Sequence, residues 1–149
     1  DPNRYKEEDL IIPDYMVDTP ITRKELSSYY AEITYMDSLL GKTLEYINEI
    51  NKTNNTISIF TSEQGFSFPF GKWTCYDLGL KTAFIAKWPG KIKPNTRNNA
   101  TTQYVDIIPT LLDAIGEDPS KINVGISDSN GNNGFDGKSF FDSMIGKTD

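Results

Sequence analysis

At 149 residues the chain has the length of one domain, and such a chain can bury about 68–70% of its unfolded surface. Its 15 Lys and Arg stand against 21 Asp and Glu, a net charge of −6, the wrong balance for general nucleic-acid binding. There is no histidine and one cysteine, Cys75, which excludes histidine acid–base or zinc chemistry and an internal disulfide from these residues alone. No run approaches the ~18 apolar residues of a membrane-spanning helix. The polar start DPNRYKEED is not a signal peptide and lacks an initiating Met, which reads as a processed or partial chain.

Residues 1–19 read as an irregular lead-in. Asp18-Thr19-Pro20 then signals a helix start, a capping side chain followed by Pro in the first turn. Leu26, Tyr30, Ile33, Met36 or Asp37, Leu40, Leu44 and Ile47 recur at spacings of three and four, one apolar stripe on a long helix. Asp37 is expected there as a buried, hydrogen-bonded carboxylate. Asn51 to Asn55 ends the helix. Ile57 to Thr61 and Ala83 to Trp88 read as two short strands. A helix followed by a strand is half of a βαβ unit with parallel strands. Its first strand is missing. Val105 to Ile115 is a buried helical segment, with Asp106 as a cap, Pro109 near its first turn and Gly116 as its C-cap. Residues 117–149 read as a long loop and a tail without a clear final element. Asn51, Asn54 and Asn99 begin Asn-x-Ser/Thr sequons, frequent by chance in an Asn-rich chain and glycosylated only on a secretory route.

The chemistry concentrates in FTSEQGFSFPFGKWTCYDLGLKTAFIAKWPG, residues 60–90. Glu63, Gln64 and Gly65 follow the first strand, and ligands of open α/β sheets bind outside the carboxyl ends of strands. Polar groups placed there do chemistry or hold a ligand; the plain alternative is a polar loop without one. Lys72 is a point charge with three donors, suited to an oxyanion, or else a solvated loop lysine. Phe70, Trp73 and Tyr76 either line a sugar-binding mouth or pack the loop. Asp77 reads as a structural cap. Cys75 reads as a partly buried thiol.

This stretch resembles the sulfatases, whose segment runs F-T-S-D-N-G, G-K, a Tyr-acidic-Gly turn and W-P-G. PDYMVDTPITRKELSSYYAEITYMDSLLGK, YVDIIPTLLDAIG and FDGKSF are similar to further sulfatase segments and occur in the family's order. The D-T-P and F-P-F-G runs are most similar to the heparan N-sulfatase branch. The resemblance implies an α/β fold, a partial alkaline-phosphatase-like sandwich with a mixed sheet flanked by helices and lacking the N-terminal strands. On that reading residues 1–149 are the C-terminal portion of a catalytic domain, with a helix-strand-loop-strand-helix core over 20–116.

The same resemblance implies that Glu63 and Gln64 ligate calcium, each one methylene longer than the family's Asp and Asn, and that Lys72 contacts the substrate sulfate. The family's nucleophile is a formylglycine made within C-x-P/A-x-R. Cys75, in Cys-Tyr-Asp-Leu-Gly, lacks that spacing. The formylglycine, two further aspartates and the usual histidines are expected on an N-terminal half, the implied partner of this chain. The implied substrate is a sulfated carbohydrate, cleaved at a sulfate ester or N-sulfate. No nucleic acid and no membrane span are expected, and the implied localisation is periplasmic, secreted or lysosomal. Alone the chain is expected to be inactive, with an exposed sheet edge and apolar face. Two alternatives stay open: a phosphoester hydrolase of the same superfamily, against which Gln64 stands where a His is usual, and a non-catalytic module that binds sulfated glycans.

Overall fold

A computed structural model describes residues 4–125 and 134–148. The elements in chain order are α1 (Pro20–Glu49), β1 (Ser58–Thr61), α2 (Asp77–Leu80), β2 (Phe84–Lys87), α3 (Ile107–Ala114) and α4 (Phe141–Met144), with 3-10 turns at Glu7–Asp9, Thr53–Asn55, Tyr104–Asp106 and Pro119–Lys121. The chain divides into two compact units, residues 1–85 and 86–149, with the border inside β2.

In the first unit α1 begins where its sequence signals say it should. Thr19 is the N-cap, its hydroxyl accepts from the Thr22 amide, and Pro20 occupies the first helical position. Arg23, one turn in, forks onto both carboxylate oxygens of Asp18 at 2.7 Å. Its remaining nitrogen donates to the carbonyls of Glu7 and Leu10. A planar guanidinium offers this fixed set of donors, and an ammonium does not. The hydrogen bond from Arg23 holds the Asp18 carboxyl below its ordinary value. Further along, Ser27 donates to the Tyr5 carbonyl and Tyr5 pairs with Thr34 through their hydroxyls. The lead-in is thus tied to α1 by these polar contacts and by the Tyr5–Tyr30 ring pair, 5.7 Å between centroids.

The apolar stripe of α1 is covered unevenly: Tyr30, Leu40, Leu44 and Ile47 are half-buried, and its middle is open. Leu26 is the one buried hydrophobic side chain among the described residues, at 3% exposure. Ile33 and Met36 on the same stripe are exposed. Asp37 is exposed as well, which corrects the expectation of a buried carboxylate; Tyr35, Met36 and Ser38 beside it are exposed too, so this turn of the helix faces solvent. The strands also differ from expectation. The Ser62 amide donates to the Ala83 carbonyl at 3.2 Å, and the Ala83 amide returns a bond to the Ser62 hydroxyl. The end of β1 therefore stands opposite the start of β2, and the pair is antiparallel rather than parallel. The segment between them returns the chain to the end where it left. A parallel pair needs a crossover to the opposite end.

The second unit is organised by α3. Pro109 sits in its first turn and is buried, and Gly116, at φ 89°, follows its end. Three polar side chains on α3 and its approach bind the segment 138–141. Asp106 accepts the amides of Gln103 and Lys138 at 2.7 and 2.8 Å. Thr110, 2% exposed, donates to the Asp106 carbonyl and accepts the Phe140 amide. Asp113 accepts the Ser139 hydroxyl. Gly137 precedes this clamp, and a Cβ there would lie 2.2 Å from the Val105 carbonyl oxygen. The Asp136-Gly137-Lys138-Ser139 run thus has a physical reason: only a bare backbone passes Val105 on its way to Asp106. Trp88 meets Phe141 at 6.2 Å between ring centroids. The short helix α4 is an element that the sequence reading missed.

Thr110→Val removes a hydroxyl that pairs two backbone groups. It should cost about 1–3 kcal/mol, read in denaturant unfolding, whereas Thr110→Ser should retain most of the stability. Asp118 offers a pH test. Its carboxylate accepts the hydroxyl and amide of Ser120 and pairs with Lys121, which together lower its pKa to about 2. A carboxyl lowered by folding stabilises the fold above its unfolded value and stops doing so as pH falls through about 2. The Pro119–Lys121 turn should accordingly persist at pH 4, and a carbon-detected NMR titration of Asp118 should show its midpoint near 2.

Candidate functional site

The carboxyl end of β1 runs into Ser62, Glu63 and Gln64, and the chain then folds back on itself through residue 79. The reversal has several close crossings: Gly65 passes the Leu78 carbonyl, Gly79 the Gly71 carbonyl, and Gly71 the Phe66 carbonyl. Phe66 O accepts the Lys72 amide at 2.8 Å. A Cβ on Gly71 would stand 2.0 Å from that same oxygen, so any side chain at 71 would force the loop apart. With the loop closed in this way, the Lys72 ammonium reaches the Glu63 carboxylate at 2.5 Å. Lys72 is the more enclosed of the two, with side-chain exposures of 26% and 67%. A pair this open contributes on the order of 0–1 kcal/mol. Its consequence is positional: it brings a cation and a carboxylate together at the strand end. Gln64, the third site candidate, is exposed beside them.

The aromatic residues of the loop divide into two groups. Tyr29, Phe66 and Phe68 form an edge-to-face cluster on α1, with Phe66 stacked on Tyr15. Phe70 meets Tyr76 edge-to-face at 5.1 Å and Tyr15 at 6.1 Å. These three rings, with Cys75, Asp77 and Leu78, line a shallow hollow of about 580 Å³. Burial among these rings raises the pKa of Tyr15. Cys75 is exposed, which corrects the expectation of a partly buried thiol: it faces the open hollow rather than a packed interior. Asp77 lies in the first turn of α2 and pairs with Lys81. Trp73 belongs to neither group and is 94% exposed.

Phe70 and Trp73, on either side of Gly71-Lys72, both have φ 65°. Bulky side chains seldom adopt that conformation, and each instance costs on the order of 1–3 kcal/mol. The Thr74 hydroxyl, donating to the carbonyls of Phe70 and Gly71 at 2.9 and 2.7 Å, holds the turn in place. The sequence reading named Lys72 and its aromatic neighbours. It gave Thr74 no role and Gly71 only a place in the F-P-F-G and G-K runs; both roles depend on backbone geometry.

Calcium takes roughly six to eight hard oxygen ligands. Glu63 and Gln64 are chemically suitable donors, but no group of three or more His, Cys, Asp or Glu gathers among the described residues. The pair would fit a part of such a coordination sphere and does not make one by itself.

The sulfatase family model matches residues 2–117. The chain belongs to the sulfatase family. An ulvan-active sulfatase of Formosa agariphila is 33% identical over 110 residues, 74% of this chain and 18% of that protein. Human N-sulphoglucosamine sulphohydrolase is 29% identical over 113 residues, 75% of this chain and 22% of that enzyme. N-acetylglucosamine-6-O-sulfatase of Bacteroides thetaiotaomicron is 33% identical over 102 residues, 65% of this chain and 18% of the enzyme. The chain thus spans about a fifth of the length of these curated relatives. This sulfatase segment has no helix among its described residues long and apolar enough to cross a membrane.

If the Phe66 carbonyl sets the turn, Gly71→Ala should open it. Exchange of the Lys72 amide should accelerate by about tenfold or more, in line with the 1–3 kcal/mol typical of overpacking. NMR-detected hydrogen exchange reads this directly, and unchanged protection would show that the turn tolerates a side chain.

Proposed function

We propose that this chain is the C-terminal part of a sulfatase catalytic domain whose whole protein hydrolyses sulfate esters or N-sulfate groups of sulfated sugars. The observation that carries the reading is the Lys72–Glu63 pair at the end of β1, in a chain that matches the sulfatase family over residues 2–117. Lys72 binds the sulfate oxygens and offsets the negative charge that grows on them as the bond to sulfur breaks. Glu63 orients the Lys72 ammonium. Glu63 and Gln64 also present the oxygens that would hold calcium, which would supply further positive charge at the sulfate. The nucleophile, a formylglycine, and the remaining calcium ligands belong to an N-terminal half of the same domain.

Beyond this unit, the wider fold is an alkaline-phosphatase-like sandwich in which the β1–β2 pair joins a larger mixed sheet. The open middle of the α1 stripe supports this, because Ile33 and Met36 are exposed where a neighbouring layer would bury them. The names of the relatives point to glycosaminoglycan or algal polysaccharide sugars as substrates. A periplasmic, secreted or lysosomal location accords with such substrates.

The test uses the natural protein that carries this chain. It is given N-sulfoglucosamine, N-acetylglucosamine-6-sulfate, sulfated ulvan oligosaccharides and 4-nitrophenyl sulfate in the presence of calcium. Sulfate release from at least one sugar is expected, and Lys72→Ala should lower kcat/KM by about 100- to 1,000-fold. An active enzyme indifferent to Lys72→Ala would remove Lys72 from the site. Release of phosphate from a phosphoester in place of sulfate, or glycan binding without turnover, would replace the sulfatase reading.

A further inference from the structure

The geometry points to Trp73 as a stacking platform for the sugar ring that carries the sulfate, and so as a determinant of carbohydrate over simple sulfate substrates. This inference rests on the sulfatase reading of Lys72. Three observations support it. The indole is 94% exposed, whereas the neighbouring Phe70 and Tyr76 rings contact each other. The Trp73 backbone is held at φ 65° by a turn that the Thr74 hydroxyl fastens to the Phe70 and Gly71 carbonyls. Strain kept in a fastened turn, for a side chain that packs on nothing among the described residues, points to a partner outside them. The third is position, for Trp73 directly follows Lys72.

The chemistry favours one occupant. A pyranose has an apolar face of C–H bonds and polar edges. The C–H face packs on an aromatic ring, whose π face is electron-rich. A sulfate on the same sugar is an anion, and the adjacent ammonium of Lys72 is its natural partner. An aromatic ring and a cation on consecutive residues of one loop can thus recognise a sulfated sugar as a unit. A small aryl or alkyl sulfate uses the cation and leaves the platform empty.

The experiment compares wild type, Trp73→Ala and Trp73→Phe of the natural protein that carries this chain. Its substrates are the sulfated sugar that it cleaves best and 4-nitrophenyl sulfate. Trp73→Ala should raise KM for the sugar by about tenfold, the loss of roughly one stacking contact. kcat should change little, so the preference for sugar over aryl sulfate falls by a similar factor. Trp73→Phe should recover most of it. Equal losses on both substrates would assign Trp73 to the folding of the loop, and unchanged kinetics would leave it without a role in binding; either result overturns the inference while the sulfatase reading stands. A wild-type protein that releases sulfate from neither substrate would remove the sulfatase reading itself, and this inference with it.

Discussion

The Phe66 carbonyl oxygen is the constraint on which the candidate site depends. It accepts the Lys72 amide and lies so close to Gly71 that a Cβ would stand 2.0 Å away. This closure turns a fifteen-residue excursion, 65–79, into a fixed loop at the end of a four-residue strand. The Lys72–Glu63 pair, the fastened turn at Thr74 and the outward Trp73 all lie in this loop. A surface ion pair contributes little to stability by itself. Here the order runs the other way: backbone packing sets the loop, and the loop places the charges.

The second unit uses the same economy of means. Asp106, Thr110 and Asp113, spaced by four and three residues, stand on one side of α3 and its approach, and together they bind the backbone and the Ser139 hydroxyl of the segment 138–141. Gly137 makes the approach possible by omitting a side chain. In both units a glycine at a close crossing and a few polar side chains do what a hydrophobic core does in a compact domain. Leu26 alone among the described hydrophobic residues is buried, so these crossings matter more here than in a chain with a filled interior.

Much of the fold was legible in the sequence. The cap at Thr19, Pro20 and the three-four spacing gave α1, and the β-rich runs gave both strands within two residues. What periodicity cannot give is whether a face is covered. Met36 and Asp37 share the helix with Leu26, yet they are exposed, because coverage depends on other elements. Strand direction was equally hidden, since the return of the chain through 62–83 is decided by turns and not by the strands. The four-residue α4 is too short to show a period. At the site, Lys72 and Glu63 were named as candidates from their types and from the sulfatase resemblance. Their meeting at 2.5 Å lies in a loop closed by Gly71 and Phe66, which carry no chemistry of their own; Gly71 entered the sequence only as a letter of the F-P-F-G and G-K runs.

The central claim is that Lys72 grips sulfate beside a calcium held in part by Glu63 and Gln64. A crystal structure of the natural protein that carries this chain, grown with calcium and inorganic sulfate, tests it most directly. The account predicts a sulfate oxygen within about 3 Å of the Lys72 ammonium, and oxygens of Glu63 and Gln64 roughly 2.3–2.6 Å from calcium. A sulfate and calcium bound at other residues, with Lys72 engaged by Glu63 alone, would contradict it.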